Sequence, residues 1–205
     1  MREKQFDRSN SEIESLSDPL AFERCFEENF SVIHRYIARR VGTALADDLA
    51  AETFATAFRR RTSFNPVRGS SRSWLFGIAT NLIRNHWRAE HHLLALDAKL
   101  INEAEFREDP SISDDRLSVS FASPRIAAAL ANLNREQREV ILLHAWAELE
   151  HNEIAAALDV APGTVRSRLS RARATLSEEL KGFDFDLWLF ESDQKSPADE
   201  RIEND

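Results

Sequence analysis

The sequence predicts an all-α protein of two small domains, a helical bundle followed by a helix-turn-helix unit, joined by a flexible acidic linker. Three observations predict it. Ala and Leu, both strong helix formers, recur throughout, whereas Gly occurs only 5 times in 205 residues. Apolar residues return at three- and four-residue spacing in several separate segments, the period of an amphipathic helix. Between about Leu93 and Ala122 that period degrades into an acidic stretch, which divides the helical segments into two groups.

The first element starts at Asp18-Pro19, an N-cap acceptor followed by Pro in the first turn. From there Phe22, Phe26, Phe30, Ile33 and Ile37 form one apolar stripe, and Gly42 and Thr43 interrupt it. A second helix, "ALADDLAAETFATAFRRR", repeats the pattern through Leu45, Leu49, Phe54 and Phe58. "TSFNPVRGSSR" carries Asn-Pro, Gly and clustered Ser, and reads as a loop. "SWLFGIATNLIRNHWRAEHH" is the third helix. Beyond the linker, Ser123-Pro124 opens "RIAAALANL". Asn134 then caps "REQREVILLHAWAEL", with Gln137 at the capping-box position. The expected organisation is a leader at 1–17, a first domain at 18–91, the linker at 92–122, a second domain at 123–181 and an acidic, aromatic tail at 182–205.

Composition narrows the functional classes. One cysteine, Cys25, permits no intramolecular disulfide and suits a reducing cytosol. "MREKQFDRSNSE" lacks the apolar core of a signal peptide, and no apolar run approaches the ~20 residues that cross a bilayer. A cytoplasmic protein without membrane insertion is therefore expected. The net charge is −8, with the acids gathered in the middle stretch and after Gly182. Against that background "GTVRSRLSRARATL" carries four arginines and no acid.

That stretch completes a helix-turn-helix pattern, "EIAAALDVAPGTVRSRLSRAR". Ile154, Ala155 and Leu158 give the first helix an apolar face, Asp159 tolerates a left-handed turn, and Val160 plugs the gap. At about 100° per residue, Val165, Leu169, Ala172 and Leu176 fall on one side of the second helix. Thr164, Ser167, Ser170, Arg171 and Ala174 lie opposite, with Arg166 and Arg173 on one flank and Arg168 on the other. Small polar side chains and one Arg then face base edges while flanking arginines reach phosphates, the layout of a helix in a major groove. Arginine suits this because its planar fork pairs two-point with guanine or phosphate.

Both halves resemble one family. "ALANLNREQREVILLHAWAELEHNEIAAALDVAPGTVRSRLSRARATL" is similar to the fourth region of bacterial sigma-70-type RNA polymerase sigma factors, and the stretch from "FERCFEENF" to "NLIRNHWR" to their second region. A short leader and no third region between them resemble the extracytoplasmic-function (ECF) group. The resemblance implies a protein that is not an enzyme and needs no cofactor or metal. It would bind core RNA polymerase through the clamp helices of the largest subunit, direct it to promoter DNA, and be held by an anti-sigma factor. It places polymerase binding on Asp47, Asp48, Leu49, Glu52 and Phe54 of the "DDLAAETFATAF" helix. Downstream-element melting and reading fall to Asn65, Arg68, Arg72, Trp74, Arg84, Asn85 and Arg88, where an amide, cations and an aromatic ring suit a flipped base on a freed strand. Arg166, Ser167, Ser170 and Arg171 align with the family's upstream-element readers; Thr164, Arg168 and Arg173 join them from the helical projection.

The sequence departs from the family at three caps. Asn134 stands where Pro is usual, Glu150 where Ser or Thr is usual, and Ala161 in place of the recognition helix's usual cap. The capping ability of Asn134 makes its change harmless; the lost caps at Glu150 and Ala161 each cost about 1 kcal/mol in isolation, part of which Pro162 offsets. A duplex-binding regulator acting without polymerase is the alternative, but it predicts an N-terminal α/β domain, and no strand-helix alternation appears there. His86, Glu90 and His91 form the one cluster with a metal-like spacing, and a histidine-rich helix end beside a DNA surface accounts for it better. The tail "GFDFDLWLFESDQ" alternates aromatics with acids and fits either a fold-back strip or a docking strip.

Overall fold

The computed structural model describes residues 16–101 and 124–181, and the side chains of His91 and 93–101 fall outside that description. Seven α-helices and one 3-10 turn make up the described residues, with no strand among them. Residues 1–15 of the leader, the region around Ser123, most of the linker and the aromatic tail lie outside the described residues, so the expectations attached to them stand where the sequence left them, whereas Leu16, expected in the leader, is buried in the core. No described helix is long and apolar enough to cross a membrane.

Helix α1 (Pro19–Val41) starts where the Asp18-Pro19 signal puts it, with Asp18 Oδ1 accepting from the Leu20 N–H at 3.3 Å. Gly42 ends it at φ +84, a backbone state that side chains resist, and its N–H still reaches Ala38 O at 2.9 Å. Helix α2 (Thr43–Arg60) then returns along α1. Its buried face differs from the expected Leu45–Leu49–Phe54–Phe58 stripe. Ala46, Ala50, Thr53, Phe54 and Ala57 are buried, Leu45 and Leu49 are half-buried, and Phe58 is exposed. Small side chains let the two helix axes approach closely, so the larger residues are displaced to the edge of the contact.

A 3-10 turn at Arg61–Ser63 leads into the loop, and α3 (Ser71–Ile101) closes the first bundle. Leu75, Phe76, Ile78, Ala79 and Ile83 sink into the core beside Ile33, Tyr36 and Ile37. The Tyr36 ring stands edge-on to Phe76 with centroids 5.2 Å apart, and its hydroxyl meets Thr80 Oγ1 at 3.2 Å. Burial raises the pKa of that phenol above its ordinary value. α3 also runs on through Ile101, into the stretch expected to begin the linker. "LLALDAKL" is rich in Leu and Ala, so propensity sustains the helix where the apolar period had faded.

The second group comprises α4 (Pro124–Ala131), α5 (Arg135–Trp146), α6 (His151–Leu158) and α7 (Pro162–Glu179). Asn134 forms the expected capping box: its Oδ1 accepts from Gln137 N–H at 2.9 Å while Gln137 Oε1 accepts from Asn134 N–H at 3.2 Å. At Glu150 the missing hydroxyl is partly replaced, because Glu153 Oε2 reaches back to the Glu150 N–H at 2.9 Å. Asp159 occupies the left-handed state at φ +54 and ends α6 as the sequence predicts. Glu148 adopts the same state at φ +52 in the turn between α5 and α6.

Arg138 is a structural residue the sequence did not disclose. Only 3% exposed, it donates from Nε to Leu130 O at 2.7 Å and from Nη2 to Ala131 O at 3.0 Å and Leu133 O. A buried guanidinium thereby closes the carbonyl end of α4, where the helix dipole is negative. Replacing it, Arg138→Leu, leaves those carbonyls buried without donors and is expected to destabilise the fold by about 2–4 kcal/mol. Chemical denaturation followed by far-UV circular dichroism checks this, and an unchanged midpoint contradicts it.

Candidate nucleic-acid interface

Helix α7 buries Val165, Leu169, Ala172 and Leu176, the four residues the helical projection selected. Its rotational phase is thus set by packing, largely on α5 and α6. Arg166, Ser167, Ser170, Arg171 and Arg173 are exposed, and Thr164 and Arg168 are half-buried at the margins. Ser167 Oγ donates to Thr164 O at 2.9 Å, which leaves its lone pairs facing solvent. Ala161 starts α7 without a side-chain acceptor, Pro162 following at the first helical position. The four arginines lie on a helix without acidic residues from Thr164 to Ser177, so the face is a cationic surface.

The loop and the start of α3 form a cleft of about 390 Å³ lined by Phe64, Asn65, Arg68, Trp74 and Asn81 among others. Phe64 and Trp74 lean together with ring centroids 5.3 Å apart. Trp74 is half-buried, so one face packs on the core while part of the ring is open to the cleft. Asn65 holds its own loop, with Oδ1 accepting from Val67 N–H at 3.0 Å, an Asx-type turn that leaves the amide group to point elsewhere.

Several downstream candidates are engaged in contacts of their own. Arg84 forks onto Glu139 of α5, with Nη2–Oε2 at 2.8 Å and Nε–Oε1 at 3.2 Å. Arg72 donates to Ala147 O at 2.8 Å, and Arg68 pairs with Asp159. Asn85 and Arg88 are exposed further along α3 and bond each other at 3.3 Å. Of the seven downstream candidates, Asn65, Arg68 and Trp74 share the cleft, whereas Arg72, Arg84, Asn85 and Arg88 do not line it. Phe64 and Asn81 line it without having been selected as site residues. The Phe64 side chain four residues before Arg68, at the loop's entry, was the available signal.

On α2, Asp47, Asp48 and Glu52 are exposed, Leu49 is half-buried and Phe54 is only 5% exposed. Phe54 lies under Phe26 and Phe30, at centroid distances of 4.8 and 5.8 Å, so it supports the face from below. Asp47 Oδ1 meets His34 Nε2 at 2.8 Å. Hydrogen bonds from Arg59 and Thr56 hold the Glu52 carboxyl below its usual pKa. Phe26, Phe30 and Phe58 stay substantially exposed beside these acids, and the sequence had read them as core. The α1 stripe extends further than the small α2 face can cover, which leaves an aromatic margin. Among the described residues no group of three His, Cys, Asp or Glu is placed to hold a metal, and His91's side chain lies outside that set.

Comparison with known proteins gives a consistent picture. Residues 25–92 match the family described as Sigma-70 region 2, and residues 124–176 the family described as Sigma-70, region 4. The ECF RNA polymerase sigma factor SigL of Mycobacterium tuberculosis is 31% identical over 159 residues, covering 75% of this chain and 87% of SigL. The RNA polymerase sigma factor NccH of Alcaligenes xylosoxydans is 32% identical over 137 residues, 66% of this chain and 73% of NccH. BldN of Streptomyces coelicolor, also an ECF sigma factor, is 29% identical over 162 residues, and the match spans 60% of BldN's length. Among solved structures, CnrH in complex with the cytosolic domain of CnrY is similar with a TM-score of 0.56 and 25% identity, covering 82% of this chain and 93% of CnrH. RpoE of Bartonella quintana in complex with the anti-sigma factor NepR gives 0.57 and 25%, covering 78% and 97%.

The uncapped start of α7 yields a test of the local reading. Ala161→Ser supplies an acceptor for the first free N–H groups and is expected to raise stability by about 1 kcal/mol. A thermal melt that fails to shift upward contradicts the assignment of Ala161 as a vacant cap.

Proposed function

Because this chain belongs to the ECF group of sigma-70 RNA polymerase sigma factors, we propose a division of labour between its two helical groups in promoter-directed transcription. The exposed face of α7 reads the upstream element as intact duplex. The cleft between Phe64 and Asn81 receives a base from the opened downstream element. The acidic face of α2, with Asp47, Asp48 and Glu52, seats core polymerase, and Leu49 and Phe54 hold that face in shape. The reading assigns the chain no catalysis of its own; bond making belongs to the polymerase it directs.

The observation that carries this reading is the phase of α7. Val165, Leu169, Ala172 and Leu176 are buried, which turns Arg166, Ser167, Ser170 and Arg171 outward together. Ser and Thr side chains at the centre accept or donate to several base edges, Arg171 forks onto one base, and Arg166 and Arg173 neutralise phosphate. For the cleft, the supporting feature is the pairing of Phe64 with Trp74, whose rings offer a stacking surface beside Asn81. CnrH and RpoE are each solved with a protein bound, and an anti-sigma partner for this chain belongs to the same reading.

Run-off transcription with purified core polymerase and a genomic fragment pool tests the function directly. Added chain is expected to select start sites, and an unchanged start-site pattern overturns the reading. Arg171→Ala is expected to weaken upstream-element duplex binding by about 1–3 kcal/mol, roughly 5- to 150-fold, while core polymerase affinity holds. Equal loss of both shows that the two tasks are not divided as proposed. Arg166→Ala is expected to lower the salt dependence of duplex binding by about one in the log–log slope, measured by anisotropy titration across salt concentrations.

A further inference from the structure

We propose that the exposed arginine face of α7 has an occupant within the chain itself, the acidic and aromatic segment from Gly182 onward, which competes with duplex for that face. The effect on duplex rests on the reading of α7 as the upstream-element reader, whereas the contact itself does not. Arg166, Arg171 and Arg173 are exposed, and among the described residues no acid pairs with them. Burial of Val165, Leu169, Ala172 and Leu176 fixes the helix's rotation, so the cations cannot turn inward to find one. The segment supplies what they lack. Asp184, Asp186, Glu191 and Asp193 fall between Gly182 and Gln194 without a single base.

Position favours the pairing. The described chain ends just past α7, where Leu180 is buried and the Lys181 carbonyl accepts from Arg125 Nη2 at 3.1 Å. The segment therefore leaves from a fixed point. Along the helix axis Arg173 stands about 12 Å from Lys181 and Arg166 about 22 Å, at the α-helical rise. Extended chain advances about 3.3 Å per residue, so the stretch from Gly182 to Asp193 reaches up to about 40 Å. That is enough to run back over the whole arginine face. Of the acids at the end of α7, Glu178 is held by Lys181 Nζ at 2.6 Å. The margin of Phe26, Phe30 and Phe58 is the other exposed aromatic surface, but Asp47, Asp48 and Glu52 stand beside it. Like charges there repel an acidic segment, and the opposite charges on α7 attract it.

The side chains of the segment match arginine in two ways. A carboxylate accepts from the planar guanidinium fork, and an aromatic ring stacks on its flat face. In "FDFDLWLFESD" Phe183, Phe185, Trp188 and Phe190 are interleaved with the acids, so both partners come in one short run. Phosphate and base offer the same pair of contacts in nucleic acid. Competition lowers affinity for every duplex by one factor, the fraction of chain whose α7 face is uncovered. Base preference is unchanged, while the free chain is kept from binding arbitrary DNA through charge alone.

Three measurements on the full chain test this. With the photo-crosslinking residue p-benzoyl-phenylalanine in place of Trp188, irradiation of the free chain is expected to join it to α7 between Thr164 and Leu176. Peptide mass spectrometry reads the site, and a saturating short duplex of arbitrary sequence is expected to abolish it. Crosslinking to the margin of Phe26, Phe30 and Phe58, to a second copy, or nowhere overturns the proposal, as does a crosslink that persists under duplex. Phe185→Ser/Trp188→Ser/Phe190→Ser removes rings and keeps the net charge. It is expected to bind the same duplex about 3-fold more tightly by anisotropy titration. Asp184→Asn/Asp186→Asn/Glu191→Gln/Asp193→Asn is expected to gain about 5-fold at low salt, a gain that shrinks as salt rises. A gain in the charge variant alone means general repulsion with no seated segment and overturns the proposal, and so does no gain in either. If the unaltered chain directs no initiation, the functional reading fails instead, while the crosslink still reports the contact.

Discussion

Burial of an apolar stripe sets the rotational phase of each helix, and every charged surface of this chain follows from that constraint. A helix has one rotational degree of freedom once its axis is placed. Val165, Leu169, Ala172 and Leu176 remove it from α7, and the arginines on the opposite arc then have no choice of direction. The same holds in α2, where Ala46, Ala50, Thr53 and Ala57 face α1 and turn Asp47, Asp48 and Glu52 outward. In neither helix does the functional side chain supply the force that positions it. At about 25 cal/mol per Å² of apolar area, the buried stripe supplies more stabilisation than exposed ion pairs of 0–1 kcal/mol.

This explains which features were legible in the sequence. A periodic stripe flanked by caps is local information, so α1, α5, α6 and α7, the box at Asn134, the left-handed Asp159 and the buried face of α7 all follow from spacing and residue type. The buried face of α2 was misread for a physical reason. Alanine carries little weight in an apolar pattern, yet a row of alanines permits the closest helix approach and so takes the centre of the contact. Leu45, Leu49 and Phe58 are the more hydrophobic residues, and they were pushed to the edge. The continuation of α3 through Ile101 was hidden because helix propensity, not amphipathic period, sustains it.

Pairings across long sequence separations were the least legible. Arg138 and Glu139 are adjacent charges in an exposed-looking "REQRE" run, and nothing in that run distinguishes solvated residues from buried ones. One closes the carbonyl end of α4, and the other meets Arg84, 55 residues away. Both roles depend on where another helix ends or crosses. The one glycine of α3 carried a faint signal. A glycine inside a strongly helical, strongly apolar segment is locally unfavourable, and Gly77 is where α6 comes closest.

Charge distribution is the last link between the two helical groups. Arginines that serve nucleic acid are either hydrated or paired when nucleic acid is absent, and a guanidinium has no neutral form to fall back on near neutral pH. The acids at Glu139, Glu153 and Asp159 sit on the elements of the second group that face α3, whereas α7 carries none between Thr164 and Ser177. The segregation is asymmetric: Arg68, Arg72 and Arg84 meet Asp159, Ala147 O and Glu139, whereas among the described residues no acid pairs with the arginines of α7. In the proposed division of labour the α7 face is on display among the described residues, whereas Arg68, Arg72 and Arg84 are engaged with protein groups.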